Sequence, residues 1–182
     1  MLFAHDTEVA LGEAAALVNT LGDDGDALAT RAGLDAFLAR HPFSGQIAGD
    51  EEELAAVRRL RPRLRAFWSV RDRDEVAGLV NALLADCAGS PYLSKHDAFD
   101  WHLHVTRPEA PLADRIGAEA AMGFLDLVRA DALSRLRTCA ADDCSAVLVD
   151  LSRNHSKRYC ATGNCGNRTH VAAYRARKRT SA

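Results

Sequence analysis

Four of the five cysteines lie near the C-terminal end of the chain, in two pairs with the same spacing. Cys139 and Cys144 form the first pair, Cys160 and Cys165 form the second, and fifteen residues separate the two pairs. Four thiolates are the ligand set that closed, tetrahedral structural zinc sites favour. The spacing therefore predicts one zinc ion held by these four cysteines, with no open position for a catalytic water.

Disulfide bonds and separate buried thiols are the alternative interpretations. Residues 1–8 show neither the basic segment nor the apolar run of a secretory signal, so we expect a cytoplasmic protein, in which disulfides are rare. Redox-active pairs usually have the spacing C-x-x-C, and iron–sulfur proteins use C-x2-C-x2-C; neither occurs here. Zinc is therefore favoured. Cys87 recurs with apolar residues at helical intervals, which indicates a place in the core.

The charged residues are distributed unevenly along the chain. Residues 151–182 contain eight Lys or Arg and no Asp or Glu, so 15 of the 23 basic side chains and all 25 acidic ones lie in the rest, whose formal charge is −10. A basic tail on an acidic body indicates a polyanionic partner, most commonly nucleic acid. Compensation of the negative zinc–thiolate centre would account for only about two or three of these cations. The predicted nucleic-acid-binding residues are Arg153, Lys157, Arg158, Arg168, Arg175, Arg177, Lys178 and Arg179.

The last residues of the chain are predicted to form a helix with an arginine ridge. At about 100° per residue, Arg168, Arg175 and Arg179 fall within about 40° of one another. Val171 and Tyr174 lie to one side and are predicted to contact the cysteine module. Arginine suits phosphate contacts and pairs with guanine in the major groove. The alternatives are a solvated helix end whose cations complement the helix dipole, and a structural role for Arg168.

The segment between the two cysteine pairs is predicted to form a short β-hairpin. Residues 146–150 are rich in β-branched and apolar side chains, which favours a strand. Residues 157–159 would return antiparallel into Cys160, with residues 153–155 in the turn. The C-terminal module is thus predicted to be a four-cysteine zinc finger built from a short hairpin and a helix.

A second candidate site is a pair of histidines in a predicted strand. Apolar and polar residues alternate over residues 100–106, as in a half-buried strand, and residues 92–93 would begin its antiparallel partner. His102 and His104 then share one face, about 7 Å apart. Two imidazoles so placed could bind a second metal or line a pocket for a small ligand. The alternation favours the other interpretation, in which both histidines face solvent.

The rest of the chain is predicted to be mostly helical, because apolar residues recur every three or four positions between turn-forming residues. The fold class is therefore mainly α with a small antiparallel β element. The last helix leads directly to Cys139, so the zinc module should pack on the rest of the protein. We call residues 1–138 the body and residues 139–182 the finger. The predicted helices of the body span residues 9–22, 32–40, 50–68, 74–87 and 112–137.

Motifs of common enzyme classes are absent from the sequence. It contains no P-loop and no G-x-G-x-x-G, G-x-S-x-G or H-E-x-x-H motif, so we expect a protein that is not an enzyme. Its apolar runs are far shorter than the roughly 20 residues that span a bilayer, so we expect no membrane association.

Several of these residues together resemble the CGNR zinc finger. The resemblance rests on the first cysteine pair and on residues 149–154, 157–160 and 165–168, the last of which are Cys-Gly-Asn-Arg. Residues 17–20, Leu-Val-Asn-Thr, resemble part of the ABATE domain. That domain usually accompanies this finger in bacterial proteins described as stress-induced transcription regulators.

The chain departs from the finger pattern at two places. Tyr159 stands where the family mostly has Trp, which keeps an aromatic ring, and Thr169 and His170 stand where it often has Ala-Lys, which removes a fixed positive charge. The resemblance implies a DNA-binding regulator of the stress response whose body senses a small ligand or a protein partner. The alternative is a ligand-binding or interaction protein whose structural zinc module docks RNA or protein.

Overall fold

The computed structural model describes residues 3–96 and 99–180. Over these ranges the helices are α1 (His5–Val18), α2 (Arg31–Arg40), α3 (Glu51–Ser69), α4 (Arg73–Cys87), α5 (Leu112–Arg129) and α6 (Cys165–Thr180), with a 3-10 turn at Leu133–Arg135. The strands are β1 (Leu21–Gly22), β2 (Gly25–Asp26), β3 (Tyr92–His96), β4 (Phe99–His104), β5 (Leu136–Thr138) and β6 (Val147–Val149). They pair antiparallel as β1–β2, β3–β4 and β5–β6, so the predicted fold class is confirmed. Within the described ranges no helix has the length and apolar character needed to cross a membrane.

The core of the body is centred on α5, which packs against α1, α3 and α4. Phe67 of α3 stacks on Phe124 of α5 with ring centroids 3.8 Å apart, and Trp68 meets the same ring edge-on at 5.5 Å. Gly117 allows α4 to approach closely, because a Cβ there would lie 2.9 Å from the Cys87 sulfur. Cys87 thus packs on the core, as its spacing predicts.

Aspartate side chains begin two of the helices. At the start of α3, Asp50 accepts a hydrogen bond from the Glu53 N–H at 2.8 Å, as its place before an acidic turn predicts. Asp72, and not the predicted Asp74, begins α4. Its carboxylate accepts hydrogen bonds from the N–H groups of Asp74 and Glu75, which have no partner within the helix.

The helix predicted over residues 112–137 is shorter in the structure. α5 ends at Arg129, and Asp131 adopts a left-handed conformation with φ 51°. The Ala132 N–H then bonds back to the Leu127 carbonyl at 2.9 Å, which closes the helix end. Apolar residues keep their helical spacing through this break in the sequence. Leu136 fits that spacing and is buried, but it lies in β5 and not in a helix. Periodicity alone therefore predicted too long a helix.

The hairpin predicted within the finger pairs differently from the prediction. β6 forms at the expected place, but its antiparallel partner is β5. Residues 157–159, the predicted partner, form no strand in the described part of the chain. The Arg158 carbonyl instead accepts a hydrogen bond from the Ala140 N–H at 2.9 Å. The prediction was wrong because it placed residues 136 and 137, which begin β5, in a helix and so removed the nearer partner of β6.

β3 and β4 form the predicted hairpin, but its faces are reversed. Trp101 is 67% exposed and Leu103 is 43% exposed, whereas His102 and His104 are half-buried. The interpretation of both histidines as solvent-facing is therefore wrong. The histidine face of β4 borders a cavity whose helical walls carry carboxylates such as Glu13. The histidines are therefore covered by polar side chains and not by an apolar core. Alternation defines two faces of a strand but does not tell which face the protein covers.

Candidate zinc centre and nucleic-acid interface

The fold brings the four cysteine sulfurs of the finger together. Cys139 follows β5, Cys144 ends the next turn, Cys160 follows the loop after β6, and Cys165 begins α6. All four Sγ atoms lie within 4.8 Å of one another, and three of the four residues are buried. The two C-x4-C pairs therefore form one cluster, as the spacing predicts.

The distances between the sulfurs fit a tetrahedral zinc ion. The Sγ atom of Cys160 lies 3.7 Å from that of Cys144 and 3.6 Å from that of Cys165. Four sulfurs at the usual Zn–S distance of about 2.3 Å are separated by about 3.8 Å at the corners of a tetrahedron. A disulfide would bring two sulfurs to about 2 Å. With all four positions taken by thiolates, the ion would be structural and not catalytic.

Hydrogen bonds to the sulfurs prepare the cluster for a cation. The Cys160 N–H donates to the Cys139 sulfur at 3.4 Å, and the Thr162 hydroxyl donates to the Cys160 sulfur at 3.2 Å. Burial alone would raise the pKa of Cys160, but the Thr162 hydroxyl and the N–H groups of Gly163 and Thr162 outweigh it and lower this pKa to about 6. A thiolate is thus favoured at Cys160 near neutral pH, and zinc is expected to displace the protons of the other thiols.

Arg168 lies beside the zinc site. Its guanidinium contacts the Asp143 carboxylate through nitrogens at 2.6 and 3.2 Å, and one of these nitrogens lies 3.3 Å from the Cys165 sulfur. The hydrogen bond from Arg168 holds the pKa of Asp143 below its usual range. Arg168 thereby ties the first turn of α6 to the turn that carries Cys144 and places a positive charge beside the thiolates. This geometry favours the structural role of Arg168 over a direct contact with nucleic acid.

β6 joins the finger to the body because it is buried on both faces. Val147 and Val149 belong to the core of the body, whereas Leu148 packs with the cysteine cluster. The Trp68 indole N–H of α3 donates to the Leu148 carbonyl at 2.9 Å. The zinc module is therefore fixed on the body by a shared strand, and not by a flexible linker.

The end of α1 holds the same strand through side-chain hydrogen bonds that the sequence did not reveal. The Asn19 amide accepts from the Val147 N–H and donates to the Val147 carbonyl, both at 2.8 Å. Asp23 accepts from the N–H and hydroxyl of Ser145, at 3.0 and 2.9 Å, and Arg65 donates to the Ser145 carbonyl at 2.8 Å. Asn19 lies in the segment that resembles the ABATE domain, so that resemblance was the available signal.

A buried aspartate shapes the loop after β6, which we call the basic loop (residues 151–158). Asp150 is fully buried and accepts hydrogen bonds from Ser152 and from the Lys157 N–H, the latter at 3.2 Å. Burial alone would raise the pKa of Asp150, but these bonds and the nearby Arg137 guanidinium lower it. Arg135 donates to the Asp150 and Ser152 carbonyls at 2.5 and 3.1 Å. The loop is therefore held in one shape at both ends.

The predicted nucleic-acid-binding residues fall mainly in two exposed groups, one before Cys160 and one after Cys165 along the chain. Arg153, Lys157 and Arg158 are exposed on the basic loop. A second group is exposed on the C-terminal part of α6, and Arg168 lies between the two groups, in its ion pair with Asp143. The residues of the second group are Arg175, Arg177, Lys178 and Arg179.

The finger holds α6 by its first turns only. Cys165 is buried in the cluster, and a Cβ on Gly166 would lie 3.2 Å from the Tyr159 ring, while His170 meets that ring edge-on at 5.9 Å. Every residue from 171 to 179 is exposed. The predicted contact of Val171 and Tyr174 with the finger is therefore wrong, and their side chains are 40% and 60% exposed. α6 therefore contacts the rest of the finger through its first turns only, and residues 171–179 project into solvent.

Comparison with family models agrees with this architecture. The model of the CGNR zinc finger matches residues 135–178, and a second model, ABATE, described as "Putative stress-induced transcription regulator", matches residues 14–146. The second match covers well over half of the chain. The chain belongs to the ABATE family. No curated protein matches it significantly.

The two matches identify the cysteine cluster as part of a zinc finger and describe the family as a regulator. A CGNR finger whose four cysteines converge is a zinc site, so the predicted cofactor, one zinc ion, is confirmed. Both models describe a regulator or a zinc finger, and neither describes an enzyme. The matched ranges overlap at residues 135–146, which include β5 and the first cysteine pair. Sequence similarity and structure thus agree that the finger and the ABATE body share this segment.

The predicted histidine pair lies in the ABATE body and far along the chain from the zinc ligands. The rings of His102 and His104 are 4.6 Å apart between centroids, and both line a cavity of about 300 Å³ bounded by α1, α5 and β4. Glu13 of α1 and Glu119 of α5 line the same cavity. Burial, and secondarily the charge of Glu119, raises the pKa of Glu13 to about 8. The sequence located the histidines but gave no sign of these carboxylates, which come from distant helices.

Proposed function

We propose that this protein is a DNA-binding transcription regulator, in which zinc fixes the finger, α6 binds DNA and the ABATE body senses a signal. The observation that supports this proposal best is the exposure of every residue from 171 to 179 on a helix that the zinc centre anchors. Its family description as a stress-induced transcription regulator agrees with this role. Such a protein would act in the cytoplasm on DNA and not as an enzyme.

The dimensions and charge of α6 suit the major groove. The groove admits an α-helix, and residues 171–180 form a projecting segment of about 15 Å. Arg175, Arg177, Lys178 and Arg179 lie within this segment and carry no acidic neighbour along α6. Arginine can pair with guanine through two hydrogen bonds, whereas lysine acts on phosphate as a point charge.

The basic loop extends the cationic surface beyond the helix. Arg153, Lys157 and Arg158 are exposed, and the buried Asp150 fixes the backbone that carries them. The body has a formal charge of opposite sign, so duplex DNA would be repelled from the body and attracted to the finger. We propose that the loop contacts phosphates and that α6 reads base edges.

Salt dependence of DNA affinity tests this proposal. Fluorescence anisotropy with a labelled mixed-sequence duplex would compare wild type with a variant in which Arg175, Arg177, Lys178 and Arg179 are replaced by Gln. If all four neutralise phosphates, the slope of log K against log salt should become shallower by about 3–4, at about −0.9 per contact. Zinc content and circular dichroism should be unchanged, because none of the four side chains is buried.

A charge-matched variant of the body provides the control. Arg59, Arg71, Arg73 and Arg107 are exposed on the body, and their replacement by Gln removes the same charge from elsewhere. This control variant should keep the wild-type salt slope. Equal losses in the two variants would mean that net charge, and not α6, determines binding, and the proposed interface would be wrong.

Docking of a protein or RNA by the finger is the second candidate function. The exposure of Val171 and Tyr174 favours a protein partner, because an apolar and an aromatic side chain on a projecting helix can anchor an interface. If wild-type protein binds no duplex at low ionic strength, where electrostatic attraction is strongest, this candidate replaces DNA binding. Single-stranded RNA in the same assay separates the RNA from the protein alternative.

A further inference from the structure

The cavity between α1, α5 and β4 has the size and the walls of a small-molecule site. Its volume of about 300 Å³ lies at the lower end of the range of such sites. Phe43, Val105 and Met122 are among its lining residues, and the first two are buried. Contact with apolar side chains favours a ligand that carries a carbon skeleton.

The Glu13 carboxyl group lines this cavity without a hydrogen-bond partner. In the part of the chain that the structure describes, no hydrogen bond or ion pair reaches it. Burial, and secondarily the charge of Glu119, raises the pKa of Glu13 to about 8, so this carboxyl group is mostly protonated at neutral pH. A protonated carboxyl group has one O–H donor and one carbonyl acceptor. Because Glu13 is half-buried, leaving both without partners costs free energy, and a ligand with matching groups would remove that cost.

Two aspartates of the lining are bonded to the same threonine. Asp126 accepts a hydrogen bond from the Thr7 hydroxyl at 2.6 Å and lies 3.8 Å from the Arg129 guanidinium. Asp6 accepts a hydrogen bond from the Thr7 N–H at 2.9 Å. Arg129 is the one Lys or Arg among the described lining residues, so the positive charge of the lining is already paired with a carboxylate.

The two histidines and Glu119 also have partners within the protein. The ring centroids of His102 and His104 are 4.6 Å apart, and the His104 ring stacks on Tyr92 at 5.5 Å. Glu119 interacts electrostatically with Arg115. Among the titratable groups that the structure describes in this lining, Glu13 is therefore the one that a ligand can engage without displacing a partner.

We propose that this cavity binds a small neutral molecule, whose carbonyl accepts a hydrogen bond from the Glu13 carboxyl group and whose apolar part packs against Phe43 and Met122. A primary amide fits best, because its N–H can also donate to the Glu13 carbonyl and so complete a pair of hydrogen bonds. The site rests on the proposed regulator function only in taking the bound molecule to be the signal.

Charged ligands fit this cavity less well. An anion would lie beside the carboxylates of Asp6, Glu119 and Asp126. A cation gains a partner at Glu13 only when this group ionises, and at pH 7 the raised pKa of about 8 lowers its affinity about tenfold. A metal ion lacks a ligand set here, since over the described ranges the only three or more Cys, His, Asp or Glu side chains whose ligand atoms converge are the four finger cysteines.

The proposed hydrogen bond should make binding depend on pH. The amide should bind most tightly while Glu13 is protonated and more weakly as the pH rises through about 8, because the O–H donor is then lost. A cation would show the opposite trend. The titratable and charged lining residues around Glu13 are Asp6 on α1, Glu119, Asp126 and Arg129 on α5, and His102 and His104 on β4.

Calorimetric titration of the full-length zinc protein, in the absence of DNA, with three probes of one shape tests the proposal. Phenylacetamide has a neutral planar head, phenylacetate has a negative one and phenylacetamidinium has a positive one. At about pH 7 phenylacetamide should bind at least about tenfold more tightly than either charged probe. Its affinity should fall above about pH 8.

Variants of Glu13 assign the hydrogen bonds. Glu13→Gln keeps a donor and an acceptor but has no titrating proton, so it should bind phenylacetamide nearly as tightly as wild type and show no fall in affinity above about pH 8. Glu13→Leu removes both groups and should weaken phenylacetamide at least about tenfold at neutral pH. Glu109→Leu changes an exposed residue outside the cavity in the same way and should bind like wild type.

A larger side chain in the lining tests where the probe binds. Ala10→Leu fills part of the cavity from α1 and should weaken phenylacetamide at least about tenfold. Ala85→Leu, at an exposed position of α4, should bind like wild type. Circular dichroism and zinc content should be unchanged in both variants, which separates loss of the site from loss of the fold.

Three results would overturn the proposal. They are no saturable binding of phenylacetamide at millimolar concentrations, binding of either charged probe at least as tight as that of the amide, and wild-type affinity for the amide in Glu13→Leu or Ala10→Leu. Because no DNA is present, these results do not affect the DNA-binding proposal. Conversely, amide binding by a protein that binds no duplex would keep the cavity site and remove the regulator.

Discussion

Replacement of Glu13 by Gln should stabilise the protein, and increasingly so as the pH rises. Glu13 has a pKa of about 8 in the folded protein and an ordinary value of 4.5, because burial and the charge of Glu119 disfavour its ionised form. Between these two pH values the folded state holds a proton that the unfolded state has released. The stability of wild type must therefore fall as pH rises through this window.

The size of the effect follows from the two pKa values. Their difference corresponds to an upper limit of about 5 kcal/mol at high pH, and to about 3 kcal/mol lost between pH 4.5 and neutrality. The side chain is not fully enclosed, and solvent screening reduces this figure, so we expect a loss of about 2 kcal/mol by pH 8. Gln keeps the shape of the side chain but cannot ionise, so the variant should not show this loss.

Urea denaturation at about pH 5, 6, 7 and 8, with saturating zinc, measures the difference in unfolding free energy between wild type and Glu13→Gln. The difference should be small at the lowest pH and grow steadily to about 2 kcal/mol. Asp23, Asp26 and Asp143, whose pKa values are lowered by hydrogen bonds, titrate below this window and cancel in the comparison.

The exposed Glu109 provides the control, because Glu109→Gln should follow the wild-type pH dependence. A constant difference between wild type and Glu13→Gln across the whole window would show that Glu13 ionises normally. In that case the cavity would hold a solvated carboxylate, and the argument from burial would be refuted.

Two further predictions concern the zinc centre and its attachment. Cys160→Ser should abolish stoichiometric zinc binding in elemental analysis, while circular dichroism should show that the body stays helical. The control variant Cys87→Ser should keep the zinc. Full zinc content in Cys160→Ser would refute the four-cysteine site. Asn19→Ala removes both hydrogen bonds to Val147 and should cost about 1–3 kcal/mol in urea denaturation. Asn81→Ala, on the exposed face of α4, should cost much less, and equal losses would mean that the Asn19 contacts contribute nothing specific.

The sequence predicted the zinc site well because its information is local. Thiol chemistry and the spacing of Cys139, Cys144, Cys160 and Cys165 restrict the possibilities to one metal centre, whatever the backbone does between them. The four cysteines converge as predicted, but the strand that pairs with β6 differs from the prediction. Residues 157–159 were predicted to pair with β6, and β5 takes their place because Asp131 ends α5 early. A single residue in the left-handed conformation, such as Asp131, does not interrupt the periodic spacing of apolar residues, so the spacing does not reveal where the helix ends.

The cavity was largely beyond prediction because its residues come from distant parts of the chain. The alternation over residues 100–106 correctly placed His102 and His104 on one face. It did not tell which face is covered, since that depends on α1 and α5, which supply Glu13 and Glu119. A carboxylate at a helical position normally indicates a solvent-exposed side chain, and only tertiary packing makes Glu13 a half-buried acid with a raised pKa.

α1 connects the cavity to the finger. Thr7 and Glu13 of this helix line the cavity, and Asn19 at its end holds Val147 in β6, whose neighbour Leu148 packs on the cysteine cluster. Such a path transmits a signal only if both sites bias the same conformational equilibrium. If a ligand bound in this cavity shifts α1, we expect its effect on DNA affinity to pass through the Asn19 hydrogen bonds. In Asn19→Ala the ligand should then still bind and DNA affinity should no longer respond to it, whereas an unchanged response would place the coupling elsewhere, for example at the contact of Trp68 with β6.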